Sequence, residues 1–293
     1  MNLLDRLVAQ ALKNRSGLTS LQTVVEKELL HHDILREMSA AGLLAELTFI
    51  GGTCLRVCYG AERLSEDLDF SGGTNFRREA LLPLGPALVT GLETKYGLKV
   101  SVKEPTREQG NVETWKLTVV TRPENPSLPA QRINIDICAV SSHDRRPMML
   151  RNHYGVDMGT SGLIIQAQSR EEILADKILA LALRPNRLKN RDLWDIAWLK
   201  RQGVGLPPDL LDRKIADRRL TLADFRERLR QRSATLSSDP VAATDFIREM
   251  QRFLPAATVT DTVNQKEFWQ YLTNLIQEEC ALVLAATPGP GQM

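Results

Sequence analysis

The stretch "FIGGTCLRVCYGAERLSEDLDF", residues 49–70, decides how the rest of the chain is read. It opens on β-forming residues, breaks at Gly51 and Gly52, runs through a short helix-like segment closed by Gly60, and ends with Glu66, Asp67 and Asp69 close together. Two carboxylates about 4 Å apart repel by roughly 1 kcal/mol in water and several times that near a protein surface. Folding alone gives no reason to gather them, so a cationic visitor is expected. In extended backbone successive side chains face opposite ways, so "DLDF" sends Asp67 and Asp69 to one side and Leu68 and Phe70 to the other. The glycines precede a helix, where bare N–H groups and the helix dipole can hold a phosphate and the missing Cβ permits close approach.

The same alternation recurs in "RINIDI", residues 132–137: Ile133, Ile135 and Ile137 share an apolar face, while Arg132, Asn134 and Asp136 share a polar one. If the two strands are neighbours, Asp136 becomes a third carboxylate beside Asp67 and Asp69. Three such acids suit a hard divalent ion, Mg²⁺ or Mn²⁺. The plainer reading is a half-buried strand with an ordinary wet face. Further strands are predicted at 98–102 and 112–120, forming a meander with 132–140. Apolar positions at Leu21, Val24, Val25, Leu29, Leu35 and Met38 follow a helical period ending at Gly42. From Ser169, with Glu172 in capping-box spacing, the pattern is helical to about residue 286, broken at "GVGLPPD" and "FLPAAT". The fold class is therefore α+β: N-terminal helices at 1–45, a mixed-sheet core at 46–165, a helical domain at 166–286, and a tail, "TPGPGQM" at 287–293, expected to be disordered.

Hydrophobic residues make up 43% and charged residues 25% of the 293, which argues against fibrous or largely disordered classes. The longest uncharged apolar run, "CALVLAA", is too short to cross a bilayer, so no membrane partner is expected. The start carries Asp5 and no continuous apolar segment, and the four cysteines form no CxxC, so a reducing, cytoplasmic setting is expected. Cys54 and Cys58, at i,i+4, read as core, and His31 and His32, in a charged helix, as solvated surface. The net charge of +2 conceals a tract from Arg184 to Arg232 with 14 Lys and Arg against 7 Asp and Glu. Such a tract fits either a polyanion or ordinary helices with arginines on the wet face.

Lys177 falls within the apolar arc formed by Ile173, Leu174, Ile178 and Leu181. Its ammonium must snorkel to the rim or meet an anion, either a nucleotide's phosphates or an acid from the next helix, where Asp192 and Asp195 stand at i,i+3. Trp194 and Trp198 read as core.

Taken together, the glycine turn, the acid–apolar–acid strand and the later acidic strand resemble the nucleotidyltransferase superfold. The segment 49–70, with Gly51, Gly52, Thr53, Arg63, Ser65, Asp67 and Asp69, resembles the first motif of the AbiEii/AbiGii family of toxin nucleotidyltransferases. "INIDI" resembles the second, with Asp136 where glutamate is more usual, and "EEILADKILAL" and "KNRDLWDIAWL" resemble the third and fourth. The resemblance spans about residues 46 to 200. It implies that Asp67, Asp69 and Asp136 bind metal, that Gly51, Gly52, Thr53, Arg63, Ser65 and Lys177 bind a nucleoside triphosphate, and that Asp192 and Asp195 belong to the catalytic set. It further implies a toxin with a cognate antitoxin, a context of phage defence or growth control, and an RNA acceptor, as some relatives add nucleotides to tRNA. A protein hydroxyl as acceptor, or a non-catalytic binding module, are the alternatives.

Overall fold

Ile133, Ile135 and Ile137 are almost fully buried while Arg132 is exposed, so the alternation read from the sequence is the pleat of a real strand. The computed structural model describes residues 1–106, 111–125, 127–185, 188–236 and 241–286. The predicted disordered tail at 287–293 lies outside them. The chain divides into two compact units, Met1–Gln168 and Ser169–Met293.

The first unit opens with helices α1 (Leu3–Asn14) and α2 (Gln22–Ala40). Strand β1 (Thr48–Ile50) leads into a helical turn α3 (Gly51–Cys54) that continues as a π-helical turn, Leu55–Tyr59, closed by left-handed Gly60. The acid strand is β2 (Leu68–Ser71), followed by α4 (Leu84–Tyr96), β3 (Val100–Lys103), β4 (Val112–Val119), β5 (Gln131–Cys138), β6 (Arg145–Met149) and β7 (Ile164–Gln168). These strands form one mixed sheet in the order β3-β4-β5-β2-β1-β7-β6. The predicted meander is β3-β4-β5, antiparallel throughout. β6 and β7 carry too little alternation to be seen in the sequence, and Pro147 in β6 is tolerated because that strand is an edge.

Phe49 and Phe70 face each other across β1 and β2, ring centroids 5.1 Å apart, and Trp115 is buried opposite Ile135. These contacts fix the register on which the acids depend, because a slip of one residue would turn every side chain to the other face. α2 packs against α1 and α4. Tyr96 and Lys95 of α4 both reach its buried Asp33.

In the second unit α5 (Arg170–Leu183) packs against α6 (Asn190–Arg201), α7 (Pro208–Asp217) and α8 (Leu222–Leu236), and α9 (Ala242–Met250), α10 (Ala256–Thr258) and α11 (Phe268–Ala286) complete it. Ser169 caps α5 by accepting from the Glu172 N–H, 3.1 Å away. Trp194 is buried beside Phe268, as expected of core, whereas Trp198 is only partly covered. No described helix is long and apolar enough to cross a membrane.

Candidate active site

β2 lies parallel to β5 in a register that pairs Asp69 directly with Asp136, Leu68 with Ile135 and Phe70 with Ile137. The apolar members of each pair are buried and the acids half-buried, so the two carboxyl groups stand side by side on one face of the sheet. Asp67 lies just before the strand. Its Oδ1 accepts the Asn134 N–H at 3.0 Å, extending the contact between the acid loop and β5. On the other flank Ile50 pairs with Asp69, which brings the glycine turn beside the acid strand. Gly51 has φ +78°, and a Cβ there would stand 2.8 Å from Asp69 Oδ2. Both conditions select glycine.

The hydroxyls expected to face phosphate are turned inward. Thr53 is buried, its hydroxyl 2.7 Å from that of Ser65, and it donates to the Asp67 carbonyl. Ser65 is buried as well, and Arg63, also buried, donates to the Leu64 carbonyl at 2.9 Å. These three side chains hold the shape of the loop that carries Asp67. Gly51 and Gly52, by contrast, are partly open.

A second set of residues, not assigned to the site from the sequence, clamps the same loop from α2. Glu28 accepts the Ser65 N–H at 2.8 Å, His31 Nε2 lies 3.0 Å from the Glu66 carbonyl, and Lys27 donates to the Glu66 carboxylate at 2.9 Å. Glu28 is in turn held by Arg56 and the Tyr154 hydroxyl. Burial alone would raise the Glu28 carboxyl, but Arg56, Tyr154 and the Ser65 N–H together outweigh it and hold it below the usual carboxylate range. His31 and His32 are buried, correcting the expectation of solvated surface. Burial keeps His31 neutral by lowering its pKa, and it pushes His32, whose Nδ1 lies 2.9 Å from the Thr160 hydroxyl, down to about 4. The signal for this was available in principle. Apolar residues in "VVEKELLHHDILREM" surround the charged ones on all sides, leaving α2 no wet face for Glu28, His31, His32 and Asp33.

The remaining predicted residues belong to the second unit. Lys177 Nζ stands 2.5 Å from Asp192 Oδ1 and 2.8 Å from Asp195 Oδ2, so of the partners considered for its ammonium the acids of the next helix are the ones observed. Arg184 reaches Asp192 Oδ2 at 3.0 Å. Much of the basic tract is similarly matched within the chain: Arg191 to Glu249, Lys200 to Glu279, Lys214 to Glu172 and Asp176, Arg218 to Asp176, and Arg230 to Glu227. Of its two readings, helices with their own ion pairs describes these residues.

Oxygen-only donors on adjacent strands are the chemistry a hard divalent cation requires, and Asp69 beside Asp136 is a pair able to share one. Asp67 brings a third carboxylate, one oxygen of which is engaged by the peptide of Asn134. Among the described residues no three His, Cys, Asp or Glu side chains are already closed around a metal position. The donor atoms are of the kind that Mg²⁺ or Mn²⁺ takes.

Among curated proteins none is similar enough in sequence to count as a match. A solved structure is similar in fold. A nucleotidyltransferase toxin from Mycobacterium tuberculosis H37Rv, MenT4, aligns with TM-score 0.53 at 18% identity over 94% of this chain and 98% of that one. JHP933 from Helicobacter pylori aligns at TM-score 0.49 and 15% identity, covering 90% of this chain and 92% of that one. The family model described as "Nucleotidyl transferase AbiEii toxin, Type IV TA system" matches residues 33–274, most of the chain, a span that includes Gly51, Gly52, Asp67, Asp69, Asp136, Lys177, Asp192 and Asp195. The chain therefore belongs to the AbiEii family of nucleotidyltransferase toxins.

Proposed function

We propose that this toxin transfers a nucleoside monophosphate from a nucleoside triphosphate to a hydroxyl of an RNA, with tRNA the expected acceptor, and releases pyrophosphate. The observation that carries the reading is the direct pairing of Asp69 with Asp136 beside Gly51, which joins a carboxylate pair to a close-approach backbone turn. Asp67, Asp69 and Asp136 would hold Mg²⁺ or Mn²⁺, which when bound supplies charge neutralisation for the triphosphate and acidifies the acceptor hydroxyl. The peptide groups of Gly51 and Gly52 receive the phosphates, while Thr53, Ser65 and Arg63 keep the acid loop in register with β5.

In the reaction the acceptor oxygen bonds to the α-phosphorus, the bond from that phosphorus to the β-phosphate's bridging oxygen breaks, and pyrophosphate leaves with its electron pair. Asp136 is assigned either as a third ligand or as the group that takes the acceptor proton. Lys177, which the sequence offered for the phosphates, is engaged by Asp192 and Asp195, and the three are assigned to holding α5 and α6 together in the second unit. Transfer of this kind depends mainly on positioning and charge stabilisation, which the acids, with the ion they would hold, and the peptide donors of the glycine turn are proposed to supply. Membership of a type IV toxin–antitoxin family supports a cognate antitoxin as partner, and we place the protein in the cytoplasm.

The test incubates purified protein with each α-labelled nucleoside triphosphate and Mg²⁺, together with bulk tRNA or total cell protein. Label in RNA that disappears in Asp69→Asn is the expected result. Label found only in protein would transfer the acceptor to a protein hydroxyl.

A further inference from the structure

β5 carries its polar face beyond the acid pair. From Asp136 the side chains on that face run through Asn134 to Arg132, about 13 Å along a strand rising ~3.3 Å per residue. Arg132 is exposed, and it borders a cavity of about 560 Å³ in the first unit. Lys27, Arg122, Thr23, Leu128 and Pro129 also line it. A second path joins the same two places: Asp67 is followed backwards by Glu66, whose carboxylate receives Lys27.

The cavity's charge is one-sided. Lys27 and Arg122 line it, but their acidic partners Glu66 and Glu26 do not, and no carboxylate is among the described residues lining it. The Arg132 side chain has no hydrogen bond or ion pair among the described residues, and its charge stays with the cavity. The wall is fixed by Gln131, which donates to the Thr23 carbonyl at 3.2 Å and ties the start of α2 to the start of β5. Leu128, exposed at 46%, and Pro129 supply an apolar side. Cations facing an apolar wall suit a phosphodiester strand, whose charges need neutralising and whose bases and sugars need a surface to lie on.

We infer that this cavity is the subsite for the phosphodiester backbone of the RNA acceptor, a few nucleotides from the hydroxyl that reacts at Asp69 and Asp136. The inference rests on the RNA-directed reading above and adds where the strand lies. It also gives RNA a docking place in the first unit, apart from the basic tract, many of whose cations are matched within the second.

The test uses the full chain, a fluorescein-labelled single-stranded RNA of about twelve nucleotides, and anisotropy titrations at several salt concentrations. Arg132→Glu is expected to weaken RNA binding about tenfold and to reduce the slope of log K against log salt by about 1 to 2, with Arg132→Lys close to wild type. Affinity for a nonhydrolysable nucleoside triphosphate, measured calorimetrically, is expected to stay within about twofold. RNA affinity and salt slope unchanged in Arg132→Glu, while wild type labels RNA, would overturn the subsite alone. Equal weakening of RNA and nucleotide would overturn it too, by assigning Arg132 to the nucleotide or to the fold. Equally tight, Arg132-dependent binding of polyglutamate would make the cavity a general acidic-polymer site and remove the RNA assignment. A wild-type chain that labels no RNA at all would overturn the functional reading first, and the subsite with it.

Discussion

Carboxylates gather at two predicted places, around Lys177 in the second unit and along β2 and β5 in the first, and they are met differently there. In the second, Asp192 and Asp195 surround Lys177, and Glu172 and Asp176 surround Lys214, every contact between them at 3.0 Å or less. In the first, Asp67 is met by a peptide N–H, and Asp69 stands beside Asp136 across a strand pair, with the Gly51 backbone close by. An acid matched by a lysine of its own chain is part of the scaffold, because removing either partner leaves a buried charge uncompensated. Asp67 is met at Oδ1 by the Asn134 peptide, a dipole that does not cancel its charge, and it is this arrangement beside the Asp69–Asp136 pair that is proposed to receive a cation. Clustering of acids in a sequence does not separate these cases; the partner does.

The sharpest way to break the contrast is Asp69→Asn. Nucleotide transfer, followed by label incorporation, is expected to fall about 10³-fold, or about 4 kcal/mol of transition-state stabilisation, while thermal unfolding stays close to wild type. Retained transfer would mean that the strand acids are not the reacting centre. Lys177→Met should do the opposite to stability: with Asp195 almost fully buried and its lysine gone, urea denaturation is expected to show a loss of about 3 kcal/mol or more. A variant as stable as wild type would place Lys177 outside the scaffold and collapse the distinction between the units.

A third effect belongs to the helix that clamps the acid loop. His32 is held neutral chiefly by burial, with the neighbouring His31 adding to the downward shift, so as pH falls the unfolded chain takes up the proton first. Stability is expected to decline between about pH 6.5, the ordinary value, and about pH 4, by up to about 3 kcal/mol. His31, shifted in the same direction, adds to the slope, and His32→Gln should flatten it in denaturation curves recorded across that range. A smaller loss of stability than that of Lys177→Met is expected from Gly51→Ala, about 1 to 2 kcal/mol for a left-handed residue gaining a Cβ. Because that Cβ meets Asp69 Oδ2, transfer should fall further than stability; equal losses would remove the glycine's link to the site.

The acid strands were readable because alternation is a local property. Leu68 and Phe70, like Ile133 and Ile135, declare a buried face, and their neighbours must then share the other. The helix boundaries near Gly60 and Ser169 were readable for the same reason, since caps act within a few residues. β6 and β7 were not, because their pairing supplies what their composition lacks. Nor was the inward turn of Thr53 and Ser65, whose hydroxyls are engaged by each other and by the Asp67 carbonyl once the loop is folded.

By itself the amino-acid order determined an α+β chain with two acid-bearing strands, a glycine turn before the first, and a lysine stranded among apolar residues. Only the tertiary structure decided that Asp69 stands against Asp136, that Glu28 and His31 are interior groups shaping the acid loop, and that Lys177 is met by Asp192 and Asp195. The physical reason is range. Periodicity and caps act over a few bonds, whereas the partner of a charge is set by whichever distant segment packs beside it, and burial then fixes whether that charge serves the fold or remains for chemistry.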